Sequence, residues 1–547
     1  MSWSNNTKDS AIHYWLIHMF RFLLLSVNIE AILQEPTIYR RRERLSKISD
    51  GLELGDAYGT TIQRIRAQGT SKSRIGMDAL MWISHAERPL TPGELCQVLA
   101  VELGSTDFNG DNAPSISAVV GCSQGLITVD GEGSAVRLTH VSLKEHLSAS
   151  PDIFSRPHAA MAEICLTYLN SKTVKALSAD TSSDSTDTPL LVYWGVHAKR
   201  ELSDNGTSLA LDLLRGYDSH ISKKLLLEQV EYLEARDFTP FSPFSGLHWA
   251  SFFGITEVVA SLIKMGFFYD INSGDFWGQT PLAWAARNGH DDVVKMLLEF
   301  EQVDPNKTND DGLTPLALAA QEKHAGVVEI LLGREGVQPD RSDDDRRTPL
   351  MWAADAGAEE VVKILLGRED VNPDKADFYG STPLFYAACM GYEGIVERLL
   401  WRHEVNPNRP ETREGQTPLL VTAIRGHEGV VKLLLGIGGV KPDGPDRHGR
   451  TPLSLAAEKG HEGVVKILLE QKGVNPDRAD NVGRTPLSWA AYEGHAGVAK
   501  MLLGRKEVNP DRPDTGGQTP LMYASRSGHE RVVALLQLHQ AVSHNAI

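Results

Sequence analysis

Thr-Pro-Leu occurs at Thr280, Thr314, Thr348, Thr382, Thr417, Thr451, Thr485 and Thr519, spaced 34 residues apart except for one step of 35 between Thr382 and Thr417. A degenerate copy, Ser245-Gly246-Leu247, precedes the first by 35 residues. Self-similarity at this fixed period constrains the fold more than any other feature of the chain. A unit of this length is one supersecondary motif that cannot bury its apolar face alone, so neighbours must stack. Stacks of this kind present long binding surfaces far more often than active sites.

Within one period, Thr485 to Leu503 reads as a helix pair. Thr485-Pro486 opens a helix, because proline fits the first turn where its missing N–H costs nothing. Leu487, Ala490 and Ala491 give that helix an apolar face, Gly494 ends it, and Val498, Met501, Leu502 and Leu503 form the packing face of a second helix. Small alanines let the pair sit close. Val508-Asn509-Pro510-Asp511 then leads through a polar loop to the next Thr-Pro-Leu.

The first 240 residues read differently. Residues 1–70 are helical by pattern, with a mixed-sign basic run from Tyr39 to Arg44 that fits a solvated helix face. Residues 71–150 form a compact unit. A helix spans 73–85, and Thr91-Pro92-Gly93-Glu94 carries a capping-box start for the next. A third helix covers 115–122. Two alternating strands, 126–129 and 135–138, flank the turn Asp130-Gly131-Glu132-Gly133, and a helix from 141 to 147 closes the unit. Three helices and a hairpin are the order of a winged helix. Such folds often hold DNA on the helix before the wing, but 115–122 contains no Lys or Arg and the wing turn carries Asp130 and Glu132. No nucleic-acid contact is expected. Residues 151–240 form a helical linker with helices at 158–170, 190–199, 208–214 and 221–233, interrupted by a flexible Ser/Thr/Asp stretch at 178–188.

The chain carries a net charge of −16. About −10 of it lies after Phe241, a balance that favours solubility and disfavours phosphate backbones. Cys96, Cys122, Cys165 and Cys389 lack metal or redox spacing and read as thiols in a reducing compartment, cytoplasmic or nuclear. Residues 11–27 are strongly apolar, but Arg21, His13 and His18 break the run, so a buried or peripheral helix is expected rather than a membrane span. The histidines after each turn glycine (His290, His427, His461, His495, His529) are one repeated residue with a local hydrogen-bonding role, not a metal cluster. No catalytic elbow, metal-spaced cluster or phosphate loop was found, so no cofactor, no small-molecule substrate and no enzymatic activity are expected.

Thr-Pro-Leu-x-x-Ala-Ala, Gly-His and Val-Val-x-x-Leu-Leu, as at Thr451, Gly460-His461 and Val464 to Leu469, make the chain resemble the ankyrin-repeat family. About nine units cover 241–547. The resemblance implies a mostly α fold: a winged-helix-like domain and helical linker followed by an α-solenoid. It also implies a protein partner bound at turn tips and at exposed ends of first helices. The tips transfer to Phe276-Trp277, Asp310-Asp311, Asp344-Asp345, Phe378-Tyr379, Arg413-Glu414, Arg447-His448, Asn481-Val482 and Thr515-Gly516. The helix positions include Arg287, Gln321, Glu322, Asp355, Met390, Arg425, Lys459, Tyr492 and Arg526. Phe276-Trp277 and Phe378-Tyr379 are expected to be exposed aromatic pairs, the usual composition of a hot spot. The array departs from the pattern at Lys323-His324, Gly357-Ala358 and Gly391-Tyr392, and at Arg346, which replaces a turn glycine. Units carrying these changes are expected to be less stable or locally specialised.

Leu80-Met81-Trp82-Ile83-Ser84, Arg88-Pro89-Leu90-Thr91, Glu94-Leu95-Cys96, Val136 to His140 and Tyr193 to Ala198 resemble the winged-helix region of fungal NACHT-type signalling NTPases. The segments 28–44 and 55–69 look like the last helices of such an NTPase module. A nucleotide-binding module needs G-x-x-x-x-G-K-[ST], and these 547 residues contain no such string; Gly69 to Ser73 is only an echo of it. The resemblance implies the regulatory half of a signalling protein, acting as a non-catalytic scaffold or adaptor. A transcriptional co-regulator, for example of a biosynthetic gene cluster, and a signalling NTPase whose P-loop lies outside this chain are the alternatives.

Overall fold

The computed structural model describes residues 37–40, 54–131, 133–176, 194–215, 244–266 and 271–544. The apolar stretch 11–27, most of 28–44, the 178–188 segment, the helix expected at 221–233 and Glu132 of the wing turn lie outside the described residues. The described residues fall into two compact units that divide after Gly266. Among them, no helix is long and apolar enough to cross a membrane.

The first unit is built around one helix. Helix α1 spans Leu54–Arg66, α2 Thr70–His85, α3 Pro92–Ala100 and α4 Ile116–Cys122. Strands β1 (Ile127–Val129) and β2 (Val136–Leu138) pair antiparallel, with Thr128 opposite Arg137. Helix α5 (Val141–Ala149) follows. Ala79, Leu80, Met81 and Trp82 on α2 are buried, and α2 packs against α1, α3, α4, α5 and β2. The expected capping box at α3 is present: the Thr91 hydroxyl accepts from Glu94 N, and Thr91 N donates to Glu94 Oε2 at 2.8 Å. Buried Glu94 also accepts from Arg88, and its carboxyl is held below the usual carboxylate range by those bonds against the cost of its burial.

Beyond the hairpin, α6 (Pro157–Asn170) is nearly apolar all round and serves as the floor for α7 (Trp194–Arg200) and α8 (Asp204–Arg215). The degenerate first repeat supplies α9 (Gly246–Phe253) and α10 (Thr256–Lys264). It groups with these upstream helices: the rings of Trp194 and Trp249 stack at 3.9 Å, and α8 contacts α10. Its aromatic face, in place of the Thr-Pro-Leu-x-x-Ala-Ala face, explains that grouping.

The second unit is a stack of helix pairs. Pro281–Arg287, Pro315–Gln321, Pro349–Ala356, Pro383–Met390, Pro418–Arg425, Pro452–Lys459, Pro486–Glu493 and Pro520–Arg526 are the first helices, each opened by its Thr. The Thr hydroxyl accepts from the backbone N–H three residues on in every case, as Thr280 from Ala283 at 3.1 Å and Thr417 from Leu420 at 3.4 Å. Each such cap stabilises its helix by about 1 kcal/mol. First helices pack on first helices and second helices on second helices down the stack. Paired alanines such as Ala285-Ala286, Ala319-Ala320 and Ala353-Ala354 are fully buried between them. The last second helix, Glu530–His544, runs 15 residues against eight for its predecessor.

Candidate functional site

The tips are placed by one polar residue at the base of each turn, an acid in all but one of the eight. Asp275, Asp343, Asp377, Asp446, Asp480 and Asp514 stand five residues before their Thr. Asp377 shows the pattern: Oδ1 accepts from Tyr379 N and Ser381 N, each at 2.8 Å, and Oδ2 accepts from the Tyr386 hydroxyl at 2.6 Å. The first helix supplies the matching donor: Trp284 to Asp275 at 2.8 Å, Trp352 to Asp343 at 2.9 Å, Trp489 to Asp480 at 3.2 Å, and Tyr523 to Asp514. Where that helix position is Leu318 and offers no donor, the base residue is the neutral Asn309. Where it is Leu455, Arg450 takes Asp446 at 2.8 Å. Burial pushes the Asp275 carboxyl up to about 6, against the three hydrogen bonds it accepts from Trp277 N, Gln279 N and Trp284 Nε1. The Thr-Pro-Leu motif alone does not reveal these base residues. The signal is an Asp five residues before six of the eight Thr residues, with Asn309 before Thr314 and Glu411 six residues before Thr417.

The single 35-residue step resolves at one tip. Glu411 replaces Asp at the base, and one extra residue separates it from the turn glycine Gly415. The longer side chain spans the wider turn, accepting from Arg413 N and Glu414 N at 2.6 Å each and from Gln416 N at 3.0 Å.

Successive tips are tied by backbone hydrogen bonds into a continuous row. Asp310 N donates to Trp277 O at 2.9 Å, Phe378 N to Asp345 O at 2.8 Å, Thr412 N to Tyr379 O at 2.7 Å, Arg447 N to Glu414 O at 2.9 Å and Thr515 N to Val482 O at 3.0 Å. A second ladder below it uses Asn or Asp at one repeated position. Asp374 and Asp477 accept from Arg409 and Arg512 of the next unit at 3.0 Å, while Asn306 bonds Gly336 O at 2.7 Å and Gln338 N at 2.8 Å.

The tips differ in what they expose. Phe378 is 62% exposed and Tyr379 38%, their rings perpendicular at 5.4 Å. The Arg346 guanidinium lies 5.9 Å from the Phe378 ring and that of Arg413 5.5 Å from the Tyr379 ring. Both distances suit cation–π contact. Arg347 lies between the rings of Trp352 and Tyr386, at 4.9 and 5.0 Å. The first tip does not match expectation: Phe276 and Trp277 are half-buried, their rings 3.5 Å apart and Trp277 edge-on to Trp284. They pack the tip instead of presenting a pair to solvent. Asp310, Asp311, Asp344, Asp345, Arg413 and Arg447 are exposed.

Of the helix positions, Arg287 is half-buried, its guanidinium 3.8 Å from Glu322 and 5.8 Å from the Trp284 ring. Met390, Arg425, Tyr492 and Arg526 are exposed. They are not one structural position: Arg287, Tyr492 and Arg526 follow their Thr by seven residues, Met390 and Arg425 by eight. One residue turns a helix by about 100°, so the two sets point along different faces.

The repeated histidines bridge units. His324, His427, His461, His495 and His529 each place Nε2 2.9–3.0 Å from a carbonyl oxygen at the end of the preceding first helix. The imidazole lies over the preceding turn glycine: a Cβ on Gly391 would come within 2.6 Å of His427 Nδ1. The Gly-His signature is therefore a contact between neighbours, glycine from one and histidine from the next. Elsewhere, His158 and His197 meet with Nδ1 atoms 2.9 Å apart. Burial pushes His197 down to about 3, which keeps that imidazole neutral in the core of the first unit. No group of His, Cys, Asp or Glu among the described residues is arranged to hold a metal.

The ankyrin-repeat model matches at 247–343, 326–411, 395–480 and 472–546, more than half of the 547 residues, and the chain belongs to the ankyrin-repeat proteins. The winged-helix domain model of GPI inositol-deacylase matches 63–155, the segment from the end of α1 through α5. No curated protein matches the chain. Repeats of this family serve protein–protein interaction, and helix α4, which precedes the hairpin, contains no basic residue.

Proposed function

We propose that the chain is a non-catalytic scaffold that captures a protein partner on its tip row, centred on Phe378 and Tyr379. The observation that carries this reading is the exposure of both rings beside Arg346 and Arg413, on a tip tied by backbone hydrogen bonds to the tips on either side. Aromatic and arginine side chains dominate binding energy at interfaces: the rings bury large area with few rotors to freeze, and the planar guanidinium stacks and donates in a fixed fork. The winged helix followed by ankyrin repeats supports a place in signalling, with the first unit docking or relaying and the repeats recognising, in the cytoplasm or nucleus. Affinity purification with the full chain, compared with Phe378→Ala/Tyr379→Ala, tests this. Proteins retained by the wild type and lost by the variant support it. An identical retained set, with helical circular dichroism unchanged, overturns it.

A further inference from the structure

The tip row is charged unevenly along its length. Asp310 and Asp311 occupy one tip and Asp344 and Asp345 the next, all four exposed. The aromatic tip follows. On the far side the acids are answered within the fold: Glu414 lies 2.9 Å from His448, Asp446 accepts from Arg450 at 2.8 Å and Asp480 from Arg484 at 3.1 Å. The exposed guanidinium groups of Arg413 and Arg447 remain outside those pairs. Read along the stack, the row runs from four carboxylates, with Arg346 set over the Phe378 ring, through two aromatic rings to guanidinium groups.

The backbone N–H groups of the row offer little to a partner strand, because each tip donates one to the tip before it and others to the base residue of its own turn. Recognition must pass through side chains, which favours complementarity of charge and shape over strand addition. Stacked helices lie about 10 Å apart, so the four steps from the Asp310 tip to the Arg447 tip span roughly 40 Å. An extended chain covers that in about 12 residues.

We propose that the row is a polarised track for one extended segment of a partner protein, about 12 residues long by that spacing. Its Lys or Arg side chains lie over the Asp310 to Asp345 tips. An apolar or aromatic side chain sits on Phe378 and Tyr379, and its Asp or Glu side chains face Arg413 and Arg447. This rests on the tips being the partner-facing surface.

The test uses two labelled synthetic peptides of identical composition and zero net charge, each with a central aromatic residue. One has its lysines blocked at one end and its glutamates at the other; the second alternates them. Fluorescence anisotropy with the full chain should give the blocked peptide at least ~10-fold tighter binding. That advantage should collapse in Asp310→Asn/Asp311→Asn/Asp344→Asn/Asp345→Asn and, separately, in Arg413→Gln/Arg447→Gln, both with unchanged circular dichroism. Equal affinity for the two peptides, binding of neither, or an advantage that survives both variants overturns the proposal. Equal affinities that both fall in Phe378→Ala/Tyr379→Ala leave the tip surface standing and remove only the polarity. Peptides indifferent to that aromatic variant remove both.

Discussion

Lys323 and Arg346 hold φ values of 67° and 63°, a left-handed backbone that their neighbouring units assign to glycine. The cost is about 1–2 kcal/mol for a residue with a side chain. The next unit has Ala358 where its relatives place the ring that His427 lays over Gly391, so the position that faces Lys323 carries a methyl group in place of a ring. The two departures from the repeat pattern are thus one event. Lys323→Gly should raise stability by roughly 0.5–1 kcal/mol. Ala358→His alone should lower it by about 1–3 kcal/mol through overpacking. Together they should recover a bridging histidine, giving a coupling of about 0.5–3 kcal/mol. A urea double-mutant cycle measures this, and additivity would break the pairing. Asp275 makes a second prediction. Its folded pKa of about 6 lies above the unfolded value near 4, so its contribution is complete below pH 4 and is lost as pH rises through 6. Stability should fall by about 2–3 kcal/mol across that window and then level off. Asp275→Asn should lose the slope yet be less stable, because its amide meets the Trp284 indole N–H. Adding Trp284→Leu, the pairing found at Asn309 and Leu318, should cost less in that variant than in the wild type, where it also strips Asp275 of a donor. Denaturant midpoints from pH 4 to 8 read both effects.

At the scale of the element, the Thr-capped helix and its turn acid act as one part. The tip at Glu411 is a longer version of it, with a longer acid for a turn one residue wider. Glu411→Asp should leave tip amides unpaired at a cost of about 1–3 kcal/mol. Deleting Thr412 in the same variant should restore the 34-residue geometry and its stability. Amide exchange at 413–416 reports the change directly, and equal protection in all three proteins would contradict it. The helices and caps were legible in the sequence because Thr-Pro-Leu, alanine pairs and turn glycines act locally. The histidine bridge was not, because its acceptor is a carbonyl 37 or 38 residues upstream, a contact that exists only once units stack. Exposure at the tips was half legible: Phe276-Trp277 and Phe378-Tyr379 look alike as sequence, and the packing of Trp277 against Trp284 separates them.

For the whole molecule, a stack of near-identical units is held by nearest-neighbour contacts, so its framework is insensitive to what the tips carry. Removing a tip side chain should therefore change binding without changing the fold. The order of the array gives each tip its place, and the departures from repetition, an aromatic tip between acidic and basic ones, are where the proposed partner would read the row. Trp401 supplies the control: it is 72% exposed but stands at the end of a second helix, off the tip row. The decisive measurement is the Kd of a captured partner for the wild type, Phe378→Ala/Tyr379→Ala and Trp401→Ala. Loss of about 2 kcal/mol or more, roughly 30-fold, in the tip variant with little change at Trp401 is the predicted result. Equal affinity in the tip variant, or a larger loss at Trp401, would contradict it.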